Sequence, residues 1–153
     1  MTEPGSPAPD FELETPDGPV RLADFAGRKL VLYFYPKDDT PGCTTEAIDF
    51  SRLADRFAAA DTTVVGVSKD SVESHRKFAA KHDLTVRLAS DPEGRVVEAY
   101  GAWVEKSMYG KKYMGIDRST FLIGRDGRIA QVWRKVSVKG HAEAVLKAAE
   151  ALA

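Results

Sequence analysis

Apolar and polar residues alternate through "FELETPDGPVRL". Phe11 and Leu13 precede the turn pair Asp17-Gly18, and Val20 and Leu22 follow it, which predicts a β-hairpin. "KLVLYFYP" (29–36) is almost unbroken apolar sequence rich in β-formers, as expected of a central strand buried on both faces. The period then changes. Ala47, Phe50, Ala54 and Phe57, with Leu53 between them, recur at helical spacing and predict a helix with one apolar stripe.

"TTVVGVS" (62–68) predicts a second buried strand, 71–84 a helix, and "VRLAS" (86–90) a short strand. Residues 91–101 suit a short helix or turn closed by Gly101. "STFLIGRDGRIAQVW" (119–133) predicts another hairpin, turning at Asp126-Gly127, and 141–153 an Ala-rich amphipathic helix. The stretch 102–118 fits neither period and is expected to be a long loop, a kind of segment that is often functional. The order of elements implies an α/β chain whose right-handed crossovers put helices on the faces of a mixed sheet. With no repeat and no long linker, residues 1–153 are expected to form one domain.

Composition narrows the functions. The 153 residues suffice for one substantial core, and 43% hydrophobic with 29% charged residues is an ordinary globular balance. A net charge of −1 supplies no positive field for nucleic acid or an anionic membrane. No apolar run approaches the ~20 residues of a membrane span, and the Pro-rich opening "MTEPGSPAPD" does not resemble a signal peptide. A cytoplasmic protein is therefore expected. One cysteine excludes a disulfide within these residues and a Cys-rich zinc site. His75, His82 and His141 are scattered without a ligand motif, so neither metal nor cofactor is expected.

That cysteine stands in "YPKDDTPGCTTEAIDF" (35–50). Thr40 is a good N-cap and Pro41 suits the first helical position, which puts Cys43 in the first turn with its N–H available to the Thr40 hydroxyl. Unpaired N–H groups and the positive end of the helix dipole surround such a position. The helix follows a central strand, and sites gather at that end of open α/β sheets. A helix end favours an anion by only about 0.3–1 kcal/mol, so a strongly activated thiolate needs a cation as well. No Lys or Arg occupies the first turn, and Lys37 is expected to be solvated. Lone cysteines are also commonly buried and inert. Position alone leaves both readings open.

The segment "YFYPKDDTPGCTTEA" resembles the active site of peroxiredoxins, in particular the Q-type group, also called bacterioferritin comigratory protein. The likeness continues through "APDFEL", "DGPVRLADFAG", "GAWVEKSMYGKKYMGIDRSTFLI" and "DGRI", nearly the whole chain in order. It implies a thioredoxin-like fold and thiol-dependent peroxidase activity. Position by position, Cys43 matches the peroxidatic cysteine and Thr40 the hydroxyl residue that bonds the incoming peroxide. Pro36 matches the proline that shapes and shields the pocket, and Arg118 the arginine beside the thiolate. Glu46 reads as a favourable first-turn acid. Trp103, Tyr109 and Tyr113 suit either an apolar mouth or ordinary packing.

One departure matters. Many Q-type members carry a resolving cysteine five residues after the first or in the next helix, but here the five-on position is Ile48 and 71–84 has none. Reduction of a sulfenic acid is thus expected to come from outside: thioredoxin, a glutaredoxin-like protein or a low-molecular-weight thiol. The expected substrates are hydrogen peroxide and organic hydroperoxides, and the expected state is a monomer. The competing function is a redox sensor oxidised once at Cys43. A disulfide oxidoreductase lacks its Cys-x-x-Cys, and a cysteine hydrolase lacks a histidine near the segment.

Overall fold

A computed structural model describes residues 2–153. Its main sheet is seven-stranded and mixed, in the order β2-β1-β5-β4-β3-β8-β9. The hairpin β1 (Glu12–Thr15) and β2 (Gly18–Arg21) turns where Gly18 takes φ +104°, a conformation open to glycine. Strand β3 (Lys29–Phe34) lies at the centre, parallel to β4 (Thr62–Ser68) and antiparallel to β8 (Ser119–Ile123). Strand β5 (Arg87–Ser90) continues the parallel part, and β9 (Ile129–Trp133) closes the far edge. The thioredoxin-like α/β architecture expected from the sequence is the one observed.

Alternation along β3 builds two cores. Leu30, Leu32 and Phe34 face one side, with Phe11, Val97 of α4 (Arg95–Ala99) and Tyr100. Val31, Tyr33 and Tyr35 face the other, packed by α1 (Pro41–Arg52), α2 (Ala54–Ala59), α3 (Val72–His82) and α5 (His141–Ala151). Of the apolar stripe, Ala47, Phe50, Leu53 and Phe57 are buried as expected while Ala54 is only half-buried, and the helix breaks: Leu53, at ψ 5°, divides α1 from α2.

The expected loop at 102–118 is instead mostly a second hairpin. β6 (Trp103–Met108) and β7 (Lys111–Ile116) pair antiparallel and turn at Tyr109-Gly110, both at positive φ. Two residues of positive φ between paired strands make the tight turn whose twist suits a hairpin. The ribbon is largely exposed, with Tyr109 98% exposed at its tip. Neither of its faces needed the apolar alternation by which strands are read.

Candidate active site

Two chain segments meet at the C-terminal end of β3. Going forward, the chain leaves Phe34, makes the loop Tyr35–Thr40 and starts α1 at Pro41. Coming from the other side, β7 ends at Ile116 and β8 begins at Ser119, whose register partner is Phe34. Arg118 therefore stands opposite the loop that launches α1. Antiparallel pairing brings residue 118 to residue 43; their sequence separation hides it.

Cys43 occupies the third position of α1 and is 1% exposed. Arg118 donates from Nη2 to Cys43 Sγ at 3.3 Å and from Nη1 to Glu46 Oε1 at 2.7 Å. Its guanidinium bridges two groups one turn apart on the buried face of α1. Burial works against that positive charge, but Glu46 and Cys43 outweigh it and hold Arg118 above the ordinary arginine range. Gly42 makes the approach possible: a Cβ there would lie 3.1 Å from Arg118 Nη2 and 3.9 Å from Val138 Cγ2. The segment after β9 fixes the arginine's backbone, with Val136 N–H donating to Arg118 O at 2.9 Å.

Glu46 corrects the sequence reading. It is not a first-turn acid but a second-turn carboxyl, buried and paired with Arg118. Burial pushes its carboxyl up to about 7, although Arg118 pulls the other way. Its Oε2 finds no hydrogen-bond partner among the described residues. The missed signal was its spacing: Cys43, Glu46, Ala47 and Phe50 form one stripe, and a carboxylate on a buried stripe requires a cation.

Thr40 sits at the N-cap of α1 with extended dihedrals, but its hydroxyl does not cap the helix. It donates instead to Lys37 O at 2.9 Å. The expected bond from Cys43 N–H to that hydroxyl is absent, because the loop folds back on itself. Pro36 is exposed at the end of the strand extension, and Lys37 is exposed as expected. Trp103 packs against the core opposite α1, with Lys69 Nζ 4.4 Å from its ring centroid. Tyr109 and Tyr113 are exposed on the hairpin.

None of the three histidines is hydrogen-bonded to Cys43 among the described residues. His75 is enclosed between Asp38 and β5. His82 meets Asp39 on the surface at 2.8 Å. His141, at the start of α5, lies 2.8 Å from Thr120 Oγ1, and burial with the nearby Arg118 charge pushes it down to about 4.

The sequence profile of the AhpC/TSA family matches residues 4–132. Peroxiredoxin Bcp of Bacillus subtilis is 51% identical over 146 residues, covering 95% of this chain and 93% of that protein. Among solved structures, Peroxiredoxin Q of Xanthomonas campestris superposes with a TM-score of 0.88 at 48% identity, covering 92% and 90% of the two chains. The same organism's bacterioferritin comigratory protein, described for its alkyl peroxide reduction activity, gives a TM-score of 0.88 at 47% identity with the same coverage.

The chain belongs to the AhpC/TSA family, as a Bcp-type peroxiredoxin. This peroxiredoxin is a thiol-dependent peroxidase. One cysteine in 153 residues fits a 1-Cys-type scheme.

Proposed function

We propose that Cys43 is the peroxidatic cysteine and that Arg118, Thr40 and Pro36 form its pocket. The observation that carries this is the 3.3 Å contact from Arg118 Nη2 to the sulfur of Cys43, a residue that is 1% exposed. A fixed cation beside a dry sulfur stabilises the thiolate and also the charge that grows on a departing oxygen.

The thiolate of Cys43 attacks the nearer oxygen of the hydroperoxide. The O–O bond breaks, and the farther oxygen leaves with the electron pair as hydroxide or alkoxide, then takes a proton from solvent. Arg118 keeps donors beyond those used on Glu46 and Cys43 and turns them to the peroxide oxygens. Since Lys37 O already takes the Thr40 proton, Thr40 offers lone pairs and accepts the peroxide O–H. Pro36 shapes the rim of the loop.

The sulfenic acid at Cys43 then condenses with one thiol, releasing water and forming a mixed disulfide. A second thiol displaces Cys43 and carries the disulfide away. Hydrogen peroxide and small organic hydroperoxides are the substrates; alkyl peroxide reduction by the Xanthomonas campestris relative supports the second class. The protein acts as a cytoplasmic monomer, reduced by thioredoxin, a glutaredoxin-like protein or a small thiol.

Peroxide consumption under excess thiol tests this. Many equivalents per chain are expected, with either a small thiol or thioredoxin and its reductase. Consumption that stops at one equivalent with every reductant marks a redox sensor instead.

A further inference from the structure

A buried polar cluster lies beside the pocket without touching the sulfur. His75 on α3 is 0% exposed, with Nδ1 2.7 Å from Asp38 Oδ2 and Nε2 2.9 Å from Ala89 O on β5. A carbonyl only accepts, so Nε2 is the donor to Ala89 O, and Nδ1 faces the Asp38 carboxyl. Asp38 is held from three more directions. Tyr35 OH donates to Oδ1 at 2.6 Å, Ser74 Oγ donates to Oδ2 at 2.8 Å, and the Asp38 N–H donates to Asp70 Oδ2 at 2.8 Å.

The next residue repeats the attachment. Asp39, in the left-handed region at φ 59°, accepts from Lys81 Nζ at 2.7 Å and meets His82 Nε2 at 2.8 Å, both on the last turn of α3. Thr40 follows directly and closes the loop onto Lys37 O. The loop between β3 and α1 is thus latched to α3 at two successive residues. Packing α3 on the sheet does not require this: an apolar side chain at 75 fills the space without the desolvation that a buried His–Asp pair carries.

We infer that His75 is a positioning residue for the peroxide pocket: through Asp38 it ties the Pro36–Thr40 loop to α3 and β5 and so holds the Thr40 hydroxyl where a peroxide meets it. This rests on the reading of Thr40 as the acceptor of the peroxide O–H. The effect is specific to peroxide, because the loop orients the substrate while Arg118 and the helix end act on the sulfur.

The test compares two second-order rates of the reduced protein, oxidation by hydrogen peroxide and alkylation by iodoacetamide. His75→Leu is expected to slow oxidation about tenfold and Tyr35→Phe about threefold, the scale of a lost positioning contact, with alkylation within about twofold of the parent. Asp38→Asn keeps an acceptor for Tyr35 and a partner for His75, and recovers most of the oxidation rate lost in Asp38→Ala. Oxidation and alkylation falling in proportion overturns the inference, as does an unchanged oxidation rate in both His75→Leu and Tyr35→Phe. If His75→Leu does not fold, Tyr35→Phe decides by the same ratio. Thr40→Val separates the two levels: slowed oxidation there with unchanged oxidation in the loop variants sinks the inference alone, whereas unchanged oxidation in Thr40→Val sinks the pocket reading as well.

Discussion

Arg118 meets Glu46 at 2.7 Å with the carboxyl almost wholly out of water, 1% exposed. Burying a charged pair costs several kcal/mol per ion before any attraction is counted. Here that cost orients a guanidinium whose other arm is on Cys43. Glu46 is best understood as the residue that aims the arginine.

Its raised carboxyl gives a signed pH dependence. Burial lifts Glu46 from 4.5 to about 7, so the folded state favours the protonated form. The stabilisation that follows is complete below the lower value and is lost as pH rises through the upper one, on the order of 3 kcal/mol. His141 runs the other way: lowered from 6.5 to about 4, it supports folding at neutral pH and ceases to do so as acid protonates it. The two trends offset each other in the parent protein. Glu46→Gln removes one, so thermal denaturation should show this variant losing more stability than the parent on acidification from pH 7 to pH 4.5. Parallel stability curves contradict the assignment.

Gly42→Ala separates stability from activity. The backbone at 42 is helical, where alanine is at least as acceptable as glycine. The new methyl nevertheless stands 3.1 Å from Arg118 Nη2, tighter than ordinary contact. Unfolding should be little changed while oxidation of Cys43 slows roughly tenfold, a loss of about 1.4 kcal/mol in transition-state stabilisation. Stopped-flow oxidation of a variant with unchanged melting checks it, and a parental rate contradicts it.

Ile48→Cys should change the product. Ile48 is 41% exposed on α1, five residues beyond Cys43. Five helical residues rise about 7.5 Å, beyond the ~7 Å Cα span that a disulfide bridges. The bond requires the first turn of α1 to unwind. After one equivalent of peroxide, intact mass should show a loss of about 2 Da for a disulfide rather than a gain of about 16 Da for a sulfenic acid, and it should appear more slowly than peroxide is consumed. A persistent sulfenic acid means that the helix start does not open.

The central sheet was legible because burial writes itself into sequence. β3 is buried at every position and reads as an apolar run, while β1, β2, β8 and β9 announce themselves by turns such as Asp17-Gly18 and Asp126-Gly127. The β6–β7 ribbon packs little of either face and left only the Tyr109-Gly110 turn as a clue. The site was legible in part. Cys43 and Thr40 are local to one helix start, but Arg118 reaches them through strand register, which periodicity does not encode; the family likeness supplied it. Glu46 was misjudged, and His75 was given no role, for one reason. Charged and titratable residue types do not announce burial, whereas partners distant in sequence, Arg118 and Asp38, allow it here.

The most direct measurement is stopped-flow oxidation of the reduced protein by hydrogen peroxide, followed through Trp103 and Trp133 fluorescence with intact mass taken afterwards. A fast second-order loss of thiol with a gain of about 16 Da, absent in Cys43→Ser and slower by roughly 10²-fold in Arg118→Ala, is the expected result. An Arg118→Ala rate equal to the parent's, or a parent rate no faster than that of a free small thiolate, contradicts the account.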